Sequence, residues 1–122
     1  MLVEEIVALL RGRLLTDSGC KEVSGFYAGD YLSMVISHAP FGCAWFTVMN
    51  NVNVAGVAAL AEISLIVICG KSEPDETMLA RCDERGISVM ITPLDVFAAC
   101  ARVGGYRVGG YIESPDDKPA VK

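Results

Sequence analysis

The sequence predicts an α/β domain of three layers, in which a mainly parallel sheet is covered by helices on both faces. Three observations carry that expectation. Apolar runs at 43–48 ("CAWFTV"), 64–69 ("SLIVIC") and 87–92 ("ISVMIT") begin roughly 21 to 24 residues apart, and runs this continuous mark strands buried on both faces. Each run is followed by a helical stretch of about ten residues, the alternation that builds parallel units with right-handed crossovers. Hydrophobic residues make up 52% of the 122 positions and mean hydropathy is +0.43. A single domain of this length has limited interior, so part of that apolar surface is expected between subunits.

Leu2, Ile6, Leu9 and Leu10 recur at helical spacing, with Glu4 and Glu5 in the first turn where the helix dipole favours acids, and Gly12 ends the helix. "RLLT" (13–16) reads as a short strand and "DSGC" as a turn; residues 23–28 read as a second strand. "YLSMVISHA" (31–39) is a helix stopped at Pro40. The three apolar strands then alternate with helices at 52–62, 75–86 and 96–105. Trp45 and Phe46, adjacent on one strand, point to opposite faces. The folded domain is expected to cover 1–103, followed at 104–122 by the near-repeat "GGYRVGGY" and a proline-rich charged tail expected to be disordered.

Charge narrows the partners. A net charge of −5 and a pI near 4.7, with basic residues scattered and only Arg11 and Arg13 close together, argue against nucleic acid and anionic membranes. Five cysteines without a CxxC pair form neither a disulfide framework nor a zinc pattern, and fit a reducing cytoplasm. The acidic N-terminus lacks signal-peptide character, and Asn53, Glu62 and Ser64 interrupt the longest apolar stretch, so no membrane span is expected. With one histidine, His38, no metal site or cofactor is expected.

In a parallel sheet, ligands bind outside the carboxyl ends of the strands. That rule selects Gly25, Gly29, Asp30, Asn50, Asn51, Lys71 and Thr92 as candidate ligand-binding residues. Backbone amides at Gly29 and Asn51 would meet an anion at helix N-termini, and Lys71 would supply charge. Structural roles compete: Asp30 and Asp95 as helix caps, Asn50-Asn51 as a turn plus a cap, and Ser72 or Glu73 as the residue before the Pro74 helix start. Gly70-Lys71-Ser72 spells the end of a P-loop, but Leu65 stands where its first glycine is required. His38 suits a helix C-terminus, and Cys43 opens a buried strand, so a Cys-His nucleophile is not expected. The acids Asp75, Glu76, Asp83 and Glu84 alternate with Lys71, Arg81 and Arg85 as a solvated face does. No catalytic arrangement emerges from the residues.

"EVSGFYAGDYLS" (22–33), the aromatic strand "AWFTV", and "PDETMLARCDERGISVMITPLDVF" (74–97) together resemble the DRTGG domain across roughly 1–103. That module accompanies CBS domains in some regulated pyrophosphatases, occurs in some phosphotransacetylase-like proteins, and is similar to the N-terminal domain of HPr kinase/phosphorylase. The name motif is degenerate here, since "KEVSGF" (21–26) carries Phe26 where a second glycine is expected. The resemblance implies a regulatory or structural module without catalytic activity, often dimeric; the kinase activity of HPr kinase resides in a separate P-loop domain. The expected function is therefore that of a cytoplasmic, non-catalytic regulatory or ligand-sensing module: a homodimer that binds a small ligand, such as a nucleotide or phosphorylated metabolite, or a partner enzyme. The alternative is a purely structural docking subunit.

Overall fold

The computed structural model describes residues 1–105. The tail expected to be disordered, and most of the near-repeat, lie outside the described residues. Ten elements alternate as the sequence predicts: α1 (Val3–Leu9), β1 (Arg13–Thr16), β2 (Phe26–Ala28), α2 (Leu32–His38), β3 (Ala44–Thr47), α3 (Val52–Leu60), β4 (Leu65–Ile68), α4 (Glu76–Glu84), β5 (Ser88–Ile91) and α5 (Val96–Val103).

The five strands form one sheet in the order β1-β5-β4-β3-β2. β2, β3, β4 and β5 are parallel neighbours in chain order, and β1 closes the other edge antiparallel to β5, with Arg13 opposite Ile91 and Leu14 opposite Met90. Parallel strands that always step the same way place their right-handed crossovers on one face. Accordingly, α2, α3 and α4 cover one side of the sheet, where Val35, Val54, Met78 and Cys82 pack with Trp45, Ile66, Ile68 and Val89. α1 and α5 cover the other, where Ile6, Leu10, Ala98 and Ala99 pack with Phe46, Leu65, Val67 and Met90. Trp45 and Phe46 therefore face opposite layers. Every residue of β3 and β4 is buried, which is why those strands read as unbroken apolar runs rather than alternating ones.

Several boundaries differ from expectation for local reasons. The second strand starts at Phe26 rather than 23, because the preceding segment turns aside: the Val23 amide donates to Met1 O (3.0 Å) and the Val3 amide to Lys21 O (2.9 Å). α1 closes at Leu9, with Leu10 as its C-cap and Arg11 left-handed at φ 53°. Gly12 follows because it is pressed against β5; a Cβ there would lie 2.3 Å from Met90 Cε and 2.7 Å from Ile91 O. The α4 cap is Asp75, whose carboxylate accepts from the Met78 amide (2.7 Å), not Ser72 or Glu73. Pro74 therefore stands outside the helix.

Candidate functional site

The carboxyl ends of β2 to β5 converge on one edge of the sheet, and six of the seven candidate residues lie there. Gly25 does not. It precedes β2, at the amino end, where its carbonyl accepts from the Ala44 amide (2.9 Å) and Pro40 packs over its Cα.

Most of the other polar groups are already engaged. The Gly29 amide donates to Phe46 O (3.1 Å), extending the β2–β3 ladder, so it is not aimed at an anion. Asp30 does not cap α2; its Oδ1 accepts from the Thr47 hydroxyl and from the Val48 amide (3.0 Å), while the N-cap of α2 is Tyr31, without a side-chain bond. Thr47 is fully buried at the end of β3, and its hydroxyl requires a partner. That requirement draws Asp30 across to β3 instead of forward to the helix. Asn51 caps α3 by accepting from the Asn53 amide (3.0 Å). Asn50 ties two loops together, donating to Ser72 Oγ (2.8 Å) and Glu73 O (2.9 Å). Asp95 caps α5 as expected, accepting from the Ala98 amide (2.7 Å).

Thr92 is a buried junction. Its hydroxyl donates to Leu10 O (2.6 Å) and accepts from the Leu94 amide (3.2 Å), its amide donates to Ile68 O (2.9 Å), and its carbonyl accepts from the Lys71 amide (3.4 Å). Through those bonds it fixes both the α1–β1 turn that carries Arg11 and the β4–α4 loop that carries Lys71. That loop turns through two successive left-handed residues, Gly70 at φ 82° and Lys71 at φ 63°.

Lys71 is exposed, and together with Thr92 it borders a cavity. A groove of about 240 Å³ is lined by Arg11, Arg13, Lys71, Glu73, Ile91, Thr92 and Pro93. Arg11 and Arg13 were legible only as an isolated basic pair; nothing local in "RGR" says that β1 lies antiparallel beside β5. That pairing carries the two arginines to Lys71, some sixty residues away in the chain. The fold thus assembles a basic cluster that the scattered sequence hid.

Burial pushes the Cys43 and Cys82 thiols up to about 11, and the Cys69 thiol up to about 12, where the neighbouring Cys100 and the carboxylates of Asp95 and Asp30 add to the burial. A thiol so raised stays protonated at neutral pH. His38 sits exposed in the last turn of α2, its Nδ1 2.9 Å from Ser37 Oγ. Among the described residues, no cluster of His, Cys, Asp and Glu could hold a metal ion. No helix there is long and apolar enough to cross a membrane.

Comparison with known proteins accords with the architecture. The chain is similar to the crystal structure of the CBS and DRTGG domains of the regulatory region of Clostridium perfringens pyrophosphatase, complexed with the activator diadenosine tetraphosphate: TM-score 0.70 and 13% identity over 84% of this chain. The chain spans 45% of the length of that one. No curated protein sequence matches it. The DRTGG domain model matches residues 5–105, from α1 through the end of α5, and the chain belongs to the DRTGG domain family.

Proposed function

We propose that this chain is a non-catalytic regulatory module of the cytoplasm, acting as a homodimer and passing the binding of a nucleotide or other phosphorylated ligand to a partner enzyme. The observation that carries the assembly is the placement of its exposed apolar side chains. Among the described residues, five of the eleven exposed large hydrophobics fall within residues 26–41: Phe26, Tyr31, Met34, Ile36 and Phe41, with Phe41 73% and Tyr31 65% exposed. Phe26 lies on β2 and the others on α2 and the turns at its two ends, and the only strand partner of β2 among the described residues is β3. An apolar patch beside an open sheet edge is a surface for another protein. The ligand side of the reading is supported by the similar clostridial protein, whose regulatory region is complexed with a nucleotide activator.

A second reading, a docking subunit without a small ligand, is favoured by one fact: most polar groups at the carboxyl edge already bond within the protein. One experiment separates the two. Sedimentation at tens of micromolar reports the assembly, and melting is followed with adenine nucleotides and diadenosine tetraphosphate. A ligand at a hundred times its Kd adds about 2.7 kcal/mol, a shift on the order of 10 °C here. A monomer at that concentration removes the homodimer, and melting unmoved by every nucleotide leaves the docking subunit.

A further inference from the structure

We infer that the segment 106–112, "YRVGGYI", docks along the open edge of β2 and covers the apolar groove between β2 and α5. The inference goes beyond the dimer reading. It takes Phe26 out of the patch described above and leaves Tyr31, Met34, Ile36 and Phe41, on α2 and the turns at its ends, to a second copy.

The sheet is unfinished at β2. Gly25 O accepts from the Ala44 amide (2.9 Å) and the Gly29 amide donates to Phe46 O (3.1 Å), so alternate residues of this strand bond to β3. The backbone groups of Phe26 and Ala28 therefore face away from the sheet. Parallel strands are normally covered on both faces. Tyr27 packs against the layer beneath α2 and α3, yet Phe26 and Ala28, on the α5 side, are exposed. Phe26 rests on Phe46, ring centroids 6.3 Å apart. With Cys100, Val103 and Gly104 these residues border a groove of about 300 Å³ whose described lining carries no charged side chain. "GFYAG" (25–29) contains neither proline nor charge, the devices that keep an uncovered edge from pairing.

The course of the chain selects the occupant. α5 leaves β5 on the face opposite α2, α3 and α4, packs on β3, and ends at the groove with Val103 and Gly104. Gly105 is left-handed (φ 69°) and its amide donates to Arg102 O (3.1 Å), a turn that closes a helix and redirects the chain. A crossover on this face is right-handed when it steps back towards β2. The first strand position in that direction not taken by a described strand is the outer side of β2.

The segment has the matching pattern. Tyr106 and Val108 flank Arg107, so an extended backbone sets the two apolar residues on one face and the arginine on the other. Tyrosine, valine and isoleucine all favour strands. Tethered directly at Gly105, the segment meets β2 at an effective concentration in the millimolar range, ahead of a free peptide or a second copy.

Amide hydrogen exchange on the full chain, read residue by residue by NMR, tests the docking. The Phe26 and Ala28 amides are expected to exchange about tenfold or more slowly in the wild type than in Val108→Asp, which would place a charge in an uncharged groove. Nuclear Overhauser contacts from Tyr106 and Val108 to Phe26 and Val103 are expected in the wild type alone. Val121→Asp, which adds the same charge farther along the chain, should exchange as the wild type does. Equal exchange in the wild type and Val108→Asp overturns the docking, as does equal acceleration in Val121→Asp. Protection that is lost on dilution also overturns it and gives the edge to a second copy. Slow exchange in a chain that sediments as a monomer keeps the docked segment and removes the homodimer. A dimer whose Phe26 and Ala28 amides are no slower in the wild type than in Val108→Asp does the reverse.

Discussion

Thr92 is small, buried and fully engaged, joining three segments that are distant in sequence. Its hydroxyl serves Leu10 O and the Leu94 amide together. Replacement by the isosteric valine removes that hydroxyl without changing the volume, and leaves a buried carbonyl without its donor. Thr92→Val is therefore expected to cost about 1–3 kcal/mol, read from the urea midpoint at unchanged m. A loss below a few tenths would mean that water or a shifted α1–β1 turn satisfies Leu10. The position of Thr92 at a strand end was legible in the sequence, because apolar run followed by Thr-Pro marks the end of a strand. Its partner was not, since Leu10 lies 82 residues away. Asp30 failed for the same physical reason. An acid before a helix reads as a cap, yet a buried threonine on the neighbouring strand competes for it, and only the fold reveals that neighbour.

Elements were more legible than contacts. β3, β4 and β5 announced themselves because burial on both faces leaves no polar alternation to confuse the reading, and turn residues bound each run. β2 was drawn too long because Val23 is buried and looks strand-like, although its amide pairs with the N-terminus instead of the sheet. The antiparallel β1–β5 pairing was out of reach, since a four-residue strand carries no label for its neighbour. α3 shows how packing can override propensity: Gly56 sits in its interior, exposed, with nothing within 4 Å of where a Cβ would stand. Glycine there weakens the helix with no compensating contact among the described residues. Gly56→Ala should stabilise the protein by about 0.5–1 kcal/mol, measured by chemical denaturation. A destabilising result would show that another chain approaches α3 closely at that point.

At the scale of the whole molecule, the high apolar content divides between two core layers and an exposed end, and the buried thiols report on the layers. Cys43, Cys69 and Cys82 are all fully buried, with their pKa values raised from 9.0 to about 11, 12 and 11. The unfolded chain releases these protons near pH 9, whereas the native chain holds them until pH 11 or 12. Between those limits the native state binds more protons, so stability falls as pH rises; below pH 9 the contribution is fully present. By pH 10 the loss should be on the order of 1 kcal/mol per thiol, a sizeable share of the 5–15 kcal/mol typical of a domain. Urea unfolding in reductant at pH 8 and pH 10 measures it, and Cys82→Ala separates the thiols from lysine and tyrosine titration. The variant is expected to lose less stability than the wild type between the two pH values, by about one thiol's share. Equal losses in the two proteins would mean that the α4 side of the core opens to solvent in alkali before the chain unfolds, and that the layer beneath α3 and α4 is less tightly closed than its burial implies.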